Sequence, residues 1–378
     1  MLNCAILYCN GGRIGLQGFN CCVIIKELEM NKGSISMAIK SIKLENFTVF
    51  KNIELTLSPG VNVFIGENGT GKTHLLKALY AASDSLSYTT MDQDSDSLYF
   101  SLSLRTCFGI VMPEELMMKL SIKEDQDETT LIVLADNGRC EHRYGPSTGV
   151  TMADRCPSDD LVNFTPIFIP AKDMLTHARG LLSMAAKHSK DMPFDKTLLD
   201  LIKKAEGWKV NDIPDIAKNI IPLLEEVIGG TILQEDGDFY VVKPNGDKIP
   251  FSCEAEGVKK FGLLWQLLML ENITKDTILF WDEPEANINP KLIPLIVKIL
   301  LELARQGVQI FIASHDYFFP QYSEVFAQEA DAVVFHSLYK TEEGVQCETN
   351  SQFSNLTHNS IIDEKINLYD EKIKKVLR

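Results

Sequence analysis

One eight-residue stretch, Gly66-Glu67-Asn68-Gly69-Thr70-Gly71-Lys72-Thr73, restricts the fold of this chain more than any other. An apolar run over residues 61–65 stops at its first glycine, and "HLLKALYAAS" follows with apolar residues at helical spacing, so the loop joins a buried strand to a helix. Every fixed position of G-x-x-x-x-G-K-[ST] is met. Glycines free to take positive φ let a loop turn several N–H groups inward, and the positive end of the following helix adds to them. That cradle suits a phosphate chain: Lys72 reaches β- and γ-phosphates, and the Thr73 hydroxyl is placed to ligate Mg²⁺. Gly66, Glu67, Asn68, Gly69, Thr70, Gly71, Lys72 and Thr73 are thus the expected residues for ATP.

A second signal lies in "TILFWDEPEANINP", a buried-strand pattern ending in Asp282 and Glu283, at the carboxyl edge where α/β sheets present ligands. Asp282 is expected to hold the Mg²⁺ shell with Thr73, and Glu283 to orient and polarise the attacking water. Acidic residues commonly end strands, and the pairing with the glycine loop gives this one its meaning.

The rest of the chain builds an α/β protein around these two strands. Strands are expected over residues 39–47, 53–57, 61–65, 97–104, 130–135 and 166–170. Asp92 to Asp96, "DQDSD", reads as a solvated turn, because Ser97 and Ser103 stand where a calcium loop needs glycine and glutamate. Long amphipathic patterns over residues 173–228 indicate a helical insertion. Asp236-Gly237 and Asn245-Gly246 mark hairpin turns. Helices to about 272 and 304 then alternate with strands at 277–281, 308–313 and 332–336. The order predicts a two-lobed P-loop NTPase fold over residues 37–378, with residues 86–250 holding lobe strands and the insertion. Residues 1–36, Gly-rich and carrying four of the nine cysteines, are expected to be an extension upstream of a natural start at Met37.

Composition bears on partners. With 37 Lys and Arg against 52 Asp and Glu, the net charge of −15 repels phosphate backbones, so DNA contact requires a local basic patch. The cysteines show no CxxC pair and read as reduced cytosolic thiols, which implies a cytoplasmic protein. Apolar runs at 263–270 and 292–301 are too short and too interrupted to span a bilayer, so no membrane association is expected.

"DEPEANINP", together with "LENFTVFKNIEL" ahead of the glycine loop, resembles the corresponding segments of ABC-type ATPases of the SMC, RecF and OLD group, including their short stand-alone bacterial relatives. The resemblance implies a signature segment before the Asp-Glu strand, and "CEAEGVKKFGLLWQLL" occupies that place. Glu256 and Gly257 match it in part and would cap the γ-phosphate bound to the opposite protomer through backbone and helix dipole, while Ala255 lacks the usual serine hydroxyl. "VQIFIASHDYFF" is similar to the switch segment, which gives His315 a γ-phosphate contact; Asn287 and Asn289 fall at the dimer-contacting loop or are simple turn residues. Lys259 and Lys260 are read as a solvated helix face rather than a nucleic-acid contact. No glutamine sits in "FIPAKDMLTHARG", so the glutamine sensor is unassigned. The resemblance implies a homodimer around two ATP·Mg²⁺ that hydrolyses ATP and gates a partner process, such as a separate effector or nuclease protein in anti-phage defence. A DNA-binding ATPase of repair or recombination is the alternative, and a transporter ATPase subunit a third reading. Too few residues follow His315 for an appended nuclease domain to be expected.

Overall fold

A computed structural model describes residues 38–87, 93–110, 128–144, 149–155, 164–188, 194–207 and 212–377. The expected extension over residues 1–36 lies outside them. Along the chain run β1 (Ile39–Phe47), β2 (Phe50–Thr56), β3 (Val61–Gly66), α1 (Lys72–Ser87), α2 (Gln93–Cys107), β4 (Thr129–Ala135), β5 (Gly138–Tyr144), β6 (Gly149–Arg155) and β7 (Thr165–Ile169). Then come α3 (Leu181–Lys187), α4 (Lys196–Ala205), α5 (Ile221–Ile228), β8 (Thr231–Glu235), β9 (Asp238–Val242), β10 (Lys248–Pro250), α6 (Glu256–Met269), β11 (Thr277–Asp282), α7 (Ile293–Arg305), β12 (Gln309–Ala313), α8 (Phe318–Phe326), β13 (Val334–Thr341), β14 (Gly344–Asn350) and α9 (Ser360–Val376).

The central sheet has the order β14-β13-β3-β12-β11-β7, parallel except for the β14 edge. β7, β11 and β12 read as nearly unbroken apolar runs because both faces are covered. Val63, Ile65, Leu279, Trp281, Ile310 and Ile312 face one core, shared with α6, α7 and the helical insertion. Phe64, Phe280, Phe311 and Phe168 face the other, with α1 and the antiparallel sheet β2-β1-β4-β5-β6. Those four rings form a row across four neighbouring strands, with centroids 6.5 Å (Phe64–Phe311), 5.0 Å (Phe311–Phe280) and 6.4 Å (Phe280–Phe168) apart. Such a row fixes the register of the strands that carry the site.

Two expectations are corrected here. Residues 97–104, expected as a strand, lie within α2, and the DQDSD turn enters the same helix, Asp92 itself being outside the described residues. Leu98, Phe100, Leu102 and Leu104 alternate, which mimics a strand. The structure instead buries Phe100, Leu104 and Cys107 as one helical face and leaves Leu98 and Leu102 72% and 46% exposed. The insertion is helical, and Asp236 (φ 53°) and Gly237 (φ 81°) turn β8 into β9 as expected for a two-residue hairpin loop. No helix among the described residues is long and apolar enough to cross a membrane.

Candidate functional site

β3, β12 and β11 are parallel neighbours, so their carboxyl ends share one edge of the sheet. β3 releases Gly66, β11 ends on Asp282, and β12 is followed by Ser314 and His315. Three of the glycines hold the loop after β3 in conformations that other residues rarely take. Gly66 (φ +142°) packs so tightly that a Cβ would lie 2.2 Å from the Leu338 carbonyl oxygen. Gly71 (φ +89°) would drive one to 2.5 Å from Val49 and 2.6 Å from the Phe50 ring, so the β1–β2 hairpin braces the loop from behind.

Lys72 folds back into this loop, its Nζ donating to the carbonyls of Gly66 (2.7 Å) and Glu67 (2.8 Å). Burial lowers its pKa to about 8, against the upward pull of Asp282, Glu283, Glu285 and Glu67. Thr70 Oγ1 donates to the Glu67 carbonyl (2.8 Å), and Lys340 on β13 donates to that of Asn68 (3.1 Å). The Glu67 and Asn68 side chains are exposed, and their backbone is what joins the loop.

Thr73, in the first turn of α1, donates from Oγ1 to Asp282 Oδ2 at 2.9 Å. The contact places two hard oxygen donors from two elements side by side, a set that fits Mg²⁺. Burial raises the pKa of Asp282, with the Thr73 hydrogen bond and Lys72 opposing.

Glu283 has φ +49°, a left-handed conformation unusual for a non-glycine residue. Its backbone is held on both sides: the N–H donates to the Ala313 carbonyl (2.8 Å), and its own carbonyl accepts from Lys260 Nζ (2.7 Å). The outcome is a carboxylate aimed along the sheet edge, with Oε1 3.1 Å from His315 Nε2. Burial, then Lys72, lowers the His315 pKa against the upward pull of Glu283, which favours the neutral imidazole. Glu285 supports the histidine from below: its Oε1 accepts from Ser314 Oγ (2.8 Å) and from the His315 N–H (3.0 Å). Its Oε2 is enclosed with no hydrogen-bond partner among the described residues, and burial raises its pKa.

The expectation for Lys259 and Lys260 is overturned, since both are buried. Lys259 pairs with Glu256 (2.7 Å) and with Asp173 (3.5 Å) in the segment where no glutamine was found. Lys260, beside the carboxylates of the site, has its pKa lowered to about 8 by burial and spans from α6 to the Glu283 backbone. The sequence reading took Lys260 for a solvated residue and assigned Glu285 no role; the second glutamate of "DEPE" was the available signal for the latter. Glu256 and Gly257 open α6, whose cap Ala255 makes no side-chain capping bond. A Cβ at Gly257 would lie 3.5 Å from the carbonyl oxygen of Asn287, itself left-handed at φ +61°. Asn289 caps the next turn by accepting from Lys291 N–H at 3.0 Å. Among the described residues, Glu256 and Gly257 make no hydrogen bond or ion pair with the glycine loop of the same chain, whereas Lys72, Thr73, Asp282, Glu283 and His315 come together.

Two family descriptions match parts of the chain: "AAA ATPase domain" over residues 37–141, and "AAA domain, putative AbiEii toxin, Type IV TA system" over residues 181–319. The DNA replication and repair protein RecF of Clostridium botulinum is 48% identical over 59 residues, 15% of this chain and 16% of that protein. RecF of Chlamydia abortus is 40% identical over 67 residues, 18% of each. The match therefore spans less than a fifth of the length of these relatives. In three dimensions, an SMC head bound to the C-terminal winged-helix domain of ScpA aligns with a TM-score of 0.50 at 14% identity, over 84% of this chain and 98% of that one. The SMC head domain of Thermotoga maritima aligns with a TM-score of 0.46 at 12% identity, over 83% and 99%.

Proposed function

Taking the chain as an ABC-type ATPase of the SMC/RecF-like group, we propose that it binds ATP on the Gly66–Thr73 loop, hydrolyses it with Glu283, and completes each site with α6 of a second copy. The convergence of Thr73 on Asp282 and of Glu283 on His315 carries this reading. Lys72 exchanges the Gly66 and Glu67 carbonyls for β- and γ-phosphate oxygens. Thr73 and Asp282 would hold Mg²⁺, which when bound neutralises charge on the phosphate oxygens. His315 leaves Glu283 for the γ-phosphate, and the freed carboxylate orients the attacking water and accepts its proton. Lys260 keeps the Glu283 backbone in place meanwhile. From the opposite copy, the amides at Glu256 and Gly257 meet the γ-phosphate without a hydroxyl from Ala255. Loss of the γ-phosphate removes these charge-assisted contacts and opens the pair.

The purpose of the cycle is to gate a separate effector or nuclease protein, in keeping with the acidic net charge and with the toxin–antitoxin wording of the family that matches residues 181–319. The RecF similarity favours DNA as the second reading, and DNA-stimulated hydrolysis with a steep salt dependence would establish it. For the ATPase itself, Glu283→Gln should bind ATP normally, turn over ~100-fold or more slower, and self-associate more tightly in ATP·Mg²⁺ than without nucleotide. Unchanged turnover would refute the role of Glu283, and association indifferent to ATP would refute the shared site.

A further inference from the structure

We propose that α9 pairs in parallel with α9 of a second copy as a short two-stranded coil. Only its first two turns are anchored among the described residues. Asn359 caps it by accepting from Ile362 N–H (3.3 Å), Ile361 and Ile362 pack on the core, and Lys365 lies over the Tyr317 ring at 3.6 Å. Every residue from 366 to 377 is exposed. A helix of about this length is marginal in water on its own, so covering its apolar edge would stabilise it.

The sequence says what. Ile366, Tyr369, Ile373 and Val376 recur at alternating steps of three and four, a coiled-coil seam with Ile366 and Ile373 at a, and Tyr369 and Val376 at d, which starts where Ile362 leaves the core. Ile366, Tyr369, Ile373 and Val376 are 53%, 54%, 55% and 84% exposed. Lys365 and Lys372 occupy g, and Asp363 and Asp370 occupy e. In a parallel pair Lys365, on leaving the Tyr317 ring, faces Asp370 of the second copy, twice by symmetry; an antiparallel pair sets lysine against lysine and aspartate against aspartate. Charge thus selects both a like partner and its direction. Tyr317, on which Lys365 rests, is two residues beyond His315, so the coil begins beside the switch segment.

This pairing needs no nucleotide, and its test uses none, so its failure is separable from failure of the ATP-bridged reading. Sedimentation of the full chain without nucleotide should show a dimer at about 10 µM. Ile366→Asp with Ile373→Asp should raise the dissociation constant about 100-fold or more, with helix content and ATP binding retained because both side chains are exposed. Tyr369→Cys under oxidation should give a disulfide joining position 369 of two copies, located by peptide mapping among the nine native cysteines. A monomer at that concentration, a dimer untouched by the two aspartates, or a dimer without the 369–369 disulfide would overturn the proposal.

Discussion

Lys260→Met asks whether the buried lysine of α6 positions Glu283, the proposed catalytic carboxylate. Methionine keeps the length and apolar stem but removes the ammonium that donates to the Glu283 carbonyl at 2.7 Å. A hydrogen bond to a charged group contributes about 1.5–3 kcal/mol, and the left-handed backbone at Glu283 holds roughly 1–3 kcal/mol of strain that this bond opposes. Global stability should change little, because loss of the bond is offset by no longer burying a cation whose pKa burial has lowered to about 8. Catalysis should not be spared. If the carboxylate drifts once its backbone relaxes, kcat falls ~10- to 100-fold, at about 1.4 kcal/mol per tenfold. KM for ATP should stay within about twofold, since ground-state binding rests on the glycine loop. Lys260→Arg, which keeps a donor cation, should recover part of the loss. Steady-state phosphate release across an ATP titration measures both parameters. Unchanged kcat, or a change confined to KM, would refute the positioning role.

Lys72 supplies a pH-dependent test. With its pKa lowered to about 8 in the free protein, it is partly deprotonated at pH 8.5, and phosphate binding must restore the charge. Calorimetry in buffers of different ionisation enthalpy should show proton uptake on ATP binding near pH 8.5 and little at pH 6.5; equal uptake at both would contradict the burial argument. The unfolded chain binds more protons than the folded one between about pH 8 and the ordinary lysine value of 10.5, so the contribution of Lys72 and Lys260 to stability rises with pH across that window, as denaturant titrations can check. Gly71→Ala should destabilise by roughly 2–4 kcal/mol and abolish nucleotide binding, since its Cβ would overlap Val49 and the Phe50 ring. A stable Gly71→Ala protein that binds ATP would mean the hairpin does not brace the loop.

Much of the frame was legible in the sequence for an identifiable reason. Strands such as Val61–Gly66 and Thr277–Asp282 are buried on both faces and appear as unbroken apolar runs, and the site residues follow directly at their ends. α2 was misread because its apolar residues satisfy two periods at once, and packing against α1 and β6 selects the helical one. β5, "GRCEHRY", was missed because Cys140 is its one apolar residue in the core, and Glu141 lies between Arg139 and Arg143 where a strand pattern would show an apolar residue. Lys260 was misread for a deeper reason. A lysine on a helix reads as solvated unless something fixes its ammonium, and here the partner is a backbone carbonyl 23 residues away that no side-chain pattern encodes.

The shared site is tested most directly by mixing two defective proteins. Lys72→Ala disables the glycine loop, and Gly257→Asp sets a repelling carboxylate at the start of α6; each alone should be inactive. If the two halves of a site come from different copies, a mixture regains up to about a quarter of wild-type hydrolysis, from the one intact site in each mixed dimer. No recovery on mixing would mean that each copy encloses its nucleotide alone.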